Sequence, residues 1–575
     1  MKTAYIGSKT EAQLIGLIGV GYLLFISLFN DPGGDFGFVS SQLYWTKAHL
    51  LNSLEFPYFT PALCGGFLLG SEPQNTIFTL LQLIYFFTTN TAVAYRLGVF
   101  PLALICAWGT ARLFRTLGVQ VQSAQAIGGL VIVCSGFWVV RSKVGHIGAL
   151  GICSLPWLMD EVIQMQNISH AALSMFSKSW WRKLVVFTSF YFLLINSGHF
   201  WPLPGLFLLG PVLVASGWNI FWKNGLRGFM FALSSFSLGA VLALAMSSLR
   251  FAAIFTFAVQ AFPRGVGIFG VIGDTKYLVI TMLRSFFDFT VITGHEHSGM
   301  LGGHWEWTAY MGLLSVPLIL IGIMCAKPKE KWFYCLIVSS ILQLILTRTS
   351  HFGELIRTLV PALKEISWFY RGIIVHVFTA SFFFALGVDR LSRMTRWPIA
   401  SLIFFLLILD FSVVYIVSGT WSPVNVPTAQ LTSTEQVLAH GGAGPNQAIF
   451  DFKRVGCYNL ILGYTGASYH SQVVNGFILK ENTSGFYNIN DVRALFSPQG
   501  RTGIYRTEPW PLWPVADRKV LDDFLMFKQV NELPPMFFWI RIVCITGWIG
   551  FVLAIVAAGR VYLSERGVAT ATRLK

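Results

Sequence analysis

Long apolar runs separated by short polar segments dominate this sequence from one end to the other. Each run is long enough to cross most or all of the hydrocarbon core of a bilayer as an α-helix. The runs cover residues 12–29, 92–114, 124–141, 145–164, 184–200, 202–219, 229–250, 307–325, 332–347, 371–390, 398–418 and 536–559. The pattern predicts an all-α polytopic membrane protein with about twelve transmembrane helices.

One further apolar run, residues 76–88 (IFTLLQLIYFFTT), is too short to span a bilayer. Its length and composition predict a helix that lies in the membrane interface without crossing. This choice matters because a crossing at 76–88 would invert every loop that follows. The first run is preceded by Lys2 and Lys9 and lacks a small-residue cleavage site, so we expect a retained first helix.

The basic residues fix the predicted orientation, because cytoplasmic loops of membrane proteins carry an excess of Lys and Arg. With the N-terminus inside and 76–88 not crossing, every basic cluster falls on the inner side. These residues are Arg112, Arg115, Lys178, Arg182, Lys183, Lys223, Arg227, Lys327, Lys329, Lys331, Arg390, Arg393, Arg396, Arg560, Arg566, Arg573 and Lys575. The sequence therefore predicts that both termini are cytoplasmic.

Composition agrees with a membrane protein, since 54% of the 575 residues are hydrophobic and only 12% are charged. Soluble domains carry about 25% charged residues. The net charge of +15 would suggest nucleic acid in a soluble protein, but the basic residues lie beside apolar runs, which argues against that partner.

The eight cysteines include no CxxC pair, so the sequence has no spacing typical of a zinc or redox site. Whether Cys64 and Cys457 form a disulfide is left open.

The predicted topology divides the chain into three parts. Residues 1–418 form a transmembrane module with two long outer loops, 30–91 and 251–306. Residues 419–535 are polar and rich in Gly and Pro, with strand-like stretches such as ASYHSQVVNGFIL, and predict a small extracytoplasmic α/β or β-rich domain. Residues 536–575 form the last transmembrane helix and a cytoplasmic tail.

The first outer loop carries two carboxylates, Asp31 and Asp35, a few residues beyond the first predicted helix. A carboxylate at the membrane surface can act as a general base or hold a metal ion. Each can equally be a solvated loop residue or a helix cap.

The second outer loop concentrates imidazole and carboxylate groups at its end. His295, Glu296, His297, His304 and Glu306 lie within twelve positions, and this density is compatible with a divalent metal, although no fixed ligand spacing occurs. Glu306 opens a predicted helix, where the helix dipole favours an acid. We expect Glu306 or a nearby His within about 10 Å of Asp35, because groups of one site must converge.

Other candidates sit at predicted outer helix ends. His146 and His199 each follow a glycine and could act as bases or phosphate partners, or could bond loop carbonyls. Arg371 could grip a lipid phosphate or snorkel to the interface. Arg250, Arg264 and Arg284 are weaker candidates of the same kind. Asp160 and Glu161 end a helix on the inner side and are predicted to be structural.

Several motifs occur in an order that resembles the YfhO-like family of bacterial membrane glycosyltransferases, within the GT-C class. The first helix is followed by GDF, then by EFPYFTPALCGGFLLGSEPQNTIF with Glu72 and Gln74 at its turn. The further motifs are Gly145-His146 before LGICSLPWL, Gly198-His199, Trp305-Glu306 before AYMGLLSVPLILIG, and Phe369-Tyr370-Arg371. The resemblance covers roughly residues 12–391.

The resemblance implies an enzyme of the bacterial cytoplasmic membrane that uses a polyprenyl-phosphate sugar donor. In that class an Asp of the first outer loop is the base on the acceptor hydroxyl, and Asp35 matches that position. Asp31 departs from the single-Asp pattern, while Glu306 would be a further catalytic group. His146, His199, Arg371, Glu72, Gln74 and His304 would bind substrate. The acceptor would be an extracytoplasmic glycan, lipid or polymer.

Two other classes of protein fit the same sequence. A transporter or flippase of lipid or polysaccharide would also be polytopic, but such proteins place ionisable residues in the middle of broken helices, whereas these predicted spans are almost free of charge. The second alternative is a non-catalytic assembly subunit that docks through residues 419–535. Full activity without the Asp35 carboxylate would favour that alternative.

Overall fold

The computed structural model of this chain describes the helical module and a few short strands. The described residues are 5–29, 43, 46–47, 50–51, 79–88, 91–143, 145–165, 177–197, 202–254, 275–287, 308–326, 331–347, 355, 359, 372–395, 398–418, 472–474, 486–487, 503–505, 513–514 and 536–573.

Within these residues the architecture is almost entirely helical. The helices are α1 (Tyr5–Phe29), α2 (Leu80–Phe87), α3 (Thr91–Thr116), α4 (Gln122–Cys134), α5 (Gly136–Lys143), a 3₁₀ helix (Ile147–Ser154), α6 (Leu155–Met165), α7 (Lys178–Asn196), α8 (Pro202–Met246), α9 (Ser248–Ala253), α10 (Thr275–Phe287), α11 (Ser315–Cys325), α12 (Lys331–Thr347), α13 (Ile373–Met394), α14 (Ile399–Val417) and α15 (Met536–Arg573).

The prediction of an all-α polytopic membrane protein is confirmed at this level. Seven helical stretches of the described chain are long and apolar enough to cross a membrane, and Ser315–Cys325 and Trp332–Thr347 are shorter apolar helices. The apolar stretch of α4 and α5 is 94% buried and that of α13 is 78% buried, whereas that of α15 is 17% buried. α4, α5 and α13 therefore form the centre, and α15 lies at the edge. The total of twelve spans stays a prediction.

The 45-residue α8 contains the predicted span 202–219 and most of the predicted span 229–250, which extends past the end of the helix at Met246. At Gly225 the backbone leaves the helical region, with φ at 62° and ψ at −165°. The rings of Phe221 and Phe229 then lie 6.2 Å apart, whereas eight residues of straight helix would separate them by about 12 Å along the axis. The chain reverses at this glycine, which is the residue type that tolerates positive φ.

Contacts between helix ends agree with the predicted alternation of inner and outer ends. At predicted inner ends, Arg112 and Lys183 pair with Glu161, and the Glu11 carboxylate accepts from the Ser401 amide at 3.0 Å. At predicted outer ends, the Tyr95 hydroxyl donates to the Ser142 carbonyl. Each contact joins two ends that the topology places on one side.

Three exposed tryptophans lie close to predicted membrane boundaries. Trp218 and Trp222 are 63% and 68% exposed beside the Gly225 reversal, and Trp539 is 67% exposed near the start of α15. Tryptophan favours the two interfaces of a bilayer. From Trp539 to Gly559 the helix is about 30 Å long, which matches the hydrocarbon thickness.

The short apolar run 76–88 contains the eight-residue helix α2, too short to span. Leu81 is buried against Gly98 of α3, while Leu83 and Phe87 are 53% and 83% exposed. The Lys47 ammonium donates to the Thr88 carbonyl at 3.1 Å, at the C-terminal end of α2, and burial lowers the pKa of Lys47. α2 therefore exposes an apolar face, and its C-terminal end is held by the contact with Lys47. Both features agree with the predicted interfacial position.

The predicted segment 419–535 contains the four described strands. Strand β1 (Gln472–Val474) pairs antiparallel with β3 (Gly503–Tyr505), with Val473 opposite Ile504. Strand β2 (Phe486–Tyr487) pairs antiparallel with β4 (Trp513–Pro514). The stretch around Val473 is one that the sequence predicts as a strand. That the whole segment forms an extracytoplasmic α/β or β-rich domain stays a prediction.

The orientation can be tested by cysteine-accessibility labelling at position 484, in the middle of this segment. In a variant without native cysteines, we expect Ser484→Cys to react with an impermeant maleimide added to intact cells. A cysteine in the Gly225 reversal, such as Lys223→Cys, is the matched control and should react only after the cells are opened. If Lys223→Cys reacted in intact cells and Ser484→Cys reacted only after the cells were opened, the predicted topology would be wrong.

Candidate functional site

Of the nine main residues that the sequence predicts for the site, the structure describes His146, and of the three weaker arginine candidates it describes Arg250 and Arg284. The other main candidates, Asp31, Asp35, Glu72, Gln74, His199, His304, Glu306 and Arg371, lie outside the described residues, as do Arg264, Cys64 and Cys457. Their roles, and the convergence of Glu306 on Asp35, stay predictions. Among the described residues no group of three His, Cys, Asp or Glu side chains is placed to hold a metal ion, and the middle-loop cluster is not among them.

His146 lies in a tight connection between α5 and the 3₁₀ helix. Gly145 has a φ of 84°, and the His146 amide donates to the Arg141 carbonyl at 2.9 Å. The Arg141 guanidinium contacts His146 Nδ1 at 2.8 Å and is fully buried, with the Phe137 ring 5.7 Å away. His146 itself is partly exposed. The buried Arg141 guanidinium therefore contacts the ring of a histidine that keeps part of its surface exposed.

A break between α4 and α5 sets the position of Arg141. The Gly136 amide donates to the Tyr310 carbonyl at 2.8 Å, and the Tyr415 hydroxyl donates to the Cys134 carbonyl at 2.5 Å. A Cβ on Gly136 would lie 2.5 Å from Thr308 Cγ2. Only glycine allows this close approach, so the break is held by neighbours on two other segments.

The segment that fills this break, residues 308–314, is not helical, although the sequence predicts a helix over 307–325. Its backbone amides bond to residues of other segments. The Ala309 amide donates to the Ser285 carbonyl at 3.2 Å, and the Leu313 amide donates to the Asp410 carboxylate at 2.7 Å. The Tyr310 hydroxyl donates to Asp410 at 2.9 Å. Non-helical backbone at membrane depth needs such partners because lipid offers none.

The outer end of α1 lies on the same side as Arg141. Tyr22 of α1 contacts Ser412 of α14 at 3.0 Å, and Tyr415, three residues further along α14, contacts Cys134. Phe29 ends α1 seven residues after Tyr22, and Arg141 lies seven residues after Cys134. The chain therefore leaves α1, two residues before Asp31, on the face that carries His146.

Arg250, a weaker sequence candidate, is 1% exposed and donates to the Asn196 carbonyl at 2.7 Å. Asn196 ends α7 and also donates to Ser247 at 2.7 Å. A guanidinium at the last carbonyl of a helix complements the helix dipole. These contacts assign Arg250 a capping role.

Asp160 and Glu161 lie at the predicted inner ends of the helices, away from His146. Arg112 pairs with both carboxylates, and Lys183 pairs with Glu161. Both acids are at most 1% exposed, and the Trp157 ring lies 5.2 Å from the Arg112 guanidinium. This balanced cluster ties α3, α6 and α7 together and agrees with the predicted structural role.

Arg141 is the residue of this face that the sequence reasoning missed. The signal for it was present, since an arginine at the outer end of an apolar run breaks the positive-inside trend, as Arg371 does. The apolar pattern instead places Arg141 as the last residue of the predicted span 124–141.

The described fold defines this chain as a polytopic α-helical membrane protein. At one face, the partly exposed His146 is in contact with the buried Arg141. Comparisons with protein-family models, with curated proteins and with solved structures give no match to this chain.

Proposed function

We propose that this chain is an integral membrane glycosyltransferase. It moves a sugar from a polyprenyl-phosphate donor to an extracytoplasmic glycan, lipid or polymer acceptor. The support is the ordered set of motifs that resembles the YfhO-like family, together with the polytopic helical fold. The observation that carries the proposal is the placement of His146, partly exposed and backed by Arg141, on the face where α1 ends just before Asp31 and Asp35.

In the proposed reaction Asp35 takes the proton of an acceptor hydroxyl. The acceptor oxygen attacks the anomeric carbon of the sugar, the bond from that carbon to the phosphate oxygen breaks, and polyprenyl phosphate leaves with the electron pair. Cationic and N–H groups stabilise the charge that grows on the phosphate. The proposed groups for that task are His146, His199 and Arg371. The sugar or the acceptor is bound by Glu72, Gln74 and His304. Glu306 is a further acid or base.

The test is transfer of labelled sugar from a polyprenyl-phosphate donor by purified protein in detergent. If Arg371 contacts the donor phosphate, Arg371→Ala should raise KM for the donor about 10- to 100-fold, because hydrogen bonds to charged groups contribute about 1.5–3 kcal/mol. Arg115→Ala is the control, since Arg115 is exposed at a predicted inner end and should leave KM unchanged. An unchanged KM in Arg371→Ala would remove the phosphate assignment.

A transporter or flippase is the second candidate, and one structural observation favours it. The α4–α5 break faces the non-helical segment 308–314, and Asp410 lies within the apolar helix α14. Broken helices beside an intramembrane acid are typical of transporters. Against this candidate, Asp410 is already engaged by Tyr310 and Leu313, and Gly136 packs directly on Thr308. Wild-type protein that transfers no sugar would favour transport, or the assembly-subunit alternative.

A further inference from the structure

Arg96 is a charged residue inside an apolar helix, and its side chain is not bonded to the rest of the described protein. It lies three residues inside the stretch Val93–Thr116 of α3, which is long and apolar enough to cross a membrane. Its Nε is buried without an acceptor, and no hydrogen bond, ion pair or ring contact joins its side chain to another described residue. A guanidinium carries five N–H donors, so Arg96 has its full bonding capacity left for a ligand.

Two other arginines near predicted outer helix ends are bonded within the protein. Arg250 donates to the Asn196 carbonyl at 2.7 Å, and Arg141 contacts His146 at 2.8 Å. An unpaired charge in a medium of low dielectric constant is costly, and an ionisable residue inside a membrane span is by default a candidate functional site. The contrast favours an acceptor for Arg96 that comes from its surroundings.

The neighbouring surface of α3 is apolar and exposed. Val93 and Leu97 are 41% and 39% exposed, and Trp108 further along the helix is 70% exposed. Arg96 itself is half-buried. From Arg96 to Trp108 the helix rises about 18 Å, slightly more than half of a hydrocarbon core about 30 Å thick. A lipid whose phosphate meets Arg96 could therefore lay an acyl chain along this face through most of one leaflet.

We propose that Arg96 binds the phosphate of a membrane phospholipid whose acyl chain lies along the exposed face of α3. The guanidinium fork matches two oxygens of a phosphate. A donor lipid that carries a sugar would need further hydrogen-bonding groups, but Val93 and Leu97 are apolar and the Tyr95 hydroxyl donates to the Ser142 carbonyl. The proposal is independent of sugar transfer and would stand if that function failed.

The test is binding of phosphatidylglycerol to purified protein in detergent, measured by native mass spectrometry at increasing lipid concentration. We expect Arg96→Leu to weaken the tightest-bound lipid about 10- to 100-fold, because hydrogen bonds between charged groups are lost. Arg96→Lys should weaken it less, since lysine keeps the charge and loses the fork. Unchanged binding in Arg96→Leu would overturn the proposal.

Arg541→Leu is the matched control for a merely interfacial arginine. Arg541 lies five residues after the start of α15, as Arg96 does after the start of α3. Because the control leaves the site on α3 intact, the affinity for the tightest-bound lipid should stay within about twofold, as for an ordinary surface substitution. An equal loss in Arg541→Leu and Arg96→Leu would show general attraction of the lipid to arginines and would overturn a specific site.

Thermal unfolding separates loss of the site from loss of the fold. Without lipid, Arg96→Leu should melt no lower than wild type, because it removes an unpaired charge. Phosphatidylglycerol should raise the melting temperature of wild type and of Arg541→Leu, and raise that of Arg96→Leu much less, since a ligand stabilises only the protein that binds it. A lower melting temperature of Arg96→Leu without lipid would show that the protein supplies the partner of Arg96, and would overturn the proposal.

Competition identifies the source of the phosphate. We expect polyprenyl phosphate to displace phosphatidylglycerol from wild type only when it is in excess. Displacement by polyprenyl phosphate at a lower concentration than that of phosphatidylglycerol would assign Arg96 to the polyprenyl lipid and overturn the phospholipid assignment.

Discussion

Asp35→Asn should abolish sugar transfer while the protein still folds. An amide is nearly isosteric with a carboxylate but cannot accept the proton of the acceptor hydroxyl, and loss of a general base typically costs about 10²- to 10⁴-fold in rate. The measurement is transfer of labelled sugar from a polyprenyl-phosphate donor, with kcat and KM determined separately. The loss should appear in kcat, because the base acts in the transition state and contributes little to donor binding.

Asp31→Asn is the matched control for this experiment. Asp31 precedes Pro32, a position where Asp often shapes a turn, and we expect a much smaller effect there. If Asp31→Asn were the inactive variant, the two carboxylates would exchange roles and the reaction would survive. Equal activity of wild type and Asp35→Asn would end the base assignment and favour the assembly-subunit alternative.

Glu161→Ala should lower the free energy of unfolding by about 3–5 kcal/mol, the typical cost of removing one partner from a buried ion pair. Glu161 is 1% exposed and pairs with both Arg112 and Lys183. Its removal leaves the Lys183 ammonium, 9% exposed on its side chain, without its carboxylate. The measurement is thermal unfolding of purified variants in one detergent, followed by size-exclusion chromatography after heating.

Two controls isolate the buried charge. The double variant Glu161→Met with Lys183→Met removes both charges and should be more stable than Glu161→Ala. Arg115→Ala removes an exposed charge near the same inner helix ends and should change the free energy of unfolding by no more than about 0.5 kcal/mol. Equal melting temperatures for Glu161→Ala and Arg115→Ala would contradict the structural role of the cluster.

The periodicity of apolar residues and the distribution of charge predicted the helical class well. They failed where contacts with residues far along the chain determine the backbone conformation. The reversal at Gly225 was predictable because Lys223 and Arg227 separate two apolar runs. The non-helical segment 308–314 was not, because its hydrogen bonds come from Ser285 and Asp410. A local sequence pattern does not show that a hydrogen-bond partner lies about 100 residues away along the chain, as Asp410 does from Leu313.

The candidate site was predictable only in part for the same reason. Gly145-His146 could be singled out because it lies at a predicted outer helix end, as Gly198-His199 does. The role of Arg141 depends on the turn that brings its side chain back to the ring, and the break at Gly136 depends on Tyr310. Sequence alone therefore found the exposed group and missed the buried group that supports it.

The contacts between α1 and α14 constrain how the protein is made. Glu11 accepts from Ser401, and Tyr22 contacts Ser412, across separations of 390 residues in both cases. At roughly 5–20 residues per second, a ribosome needs about 20–80 s to add that length of chain. For about that time α1 therefore lacks these two contacts, and the Glu11 carboxylate and the Tyr22 phenol meet Ser401 and Ser412 only after α14 has been synthesised.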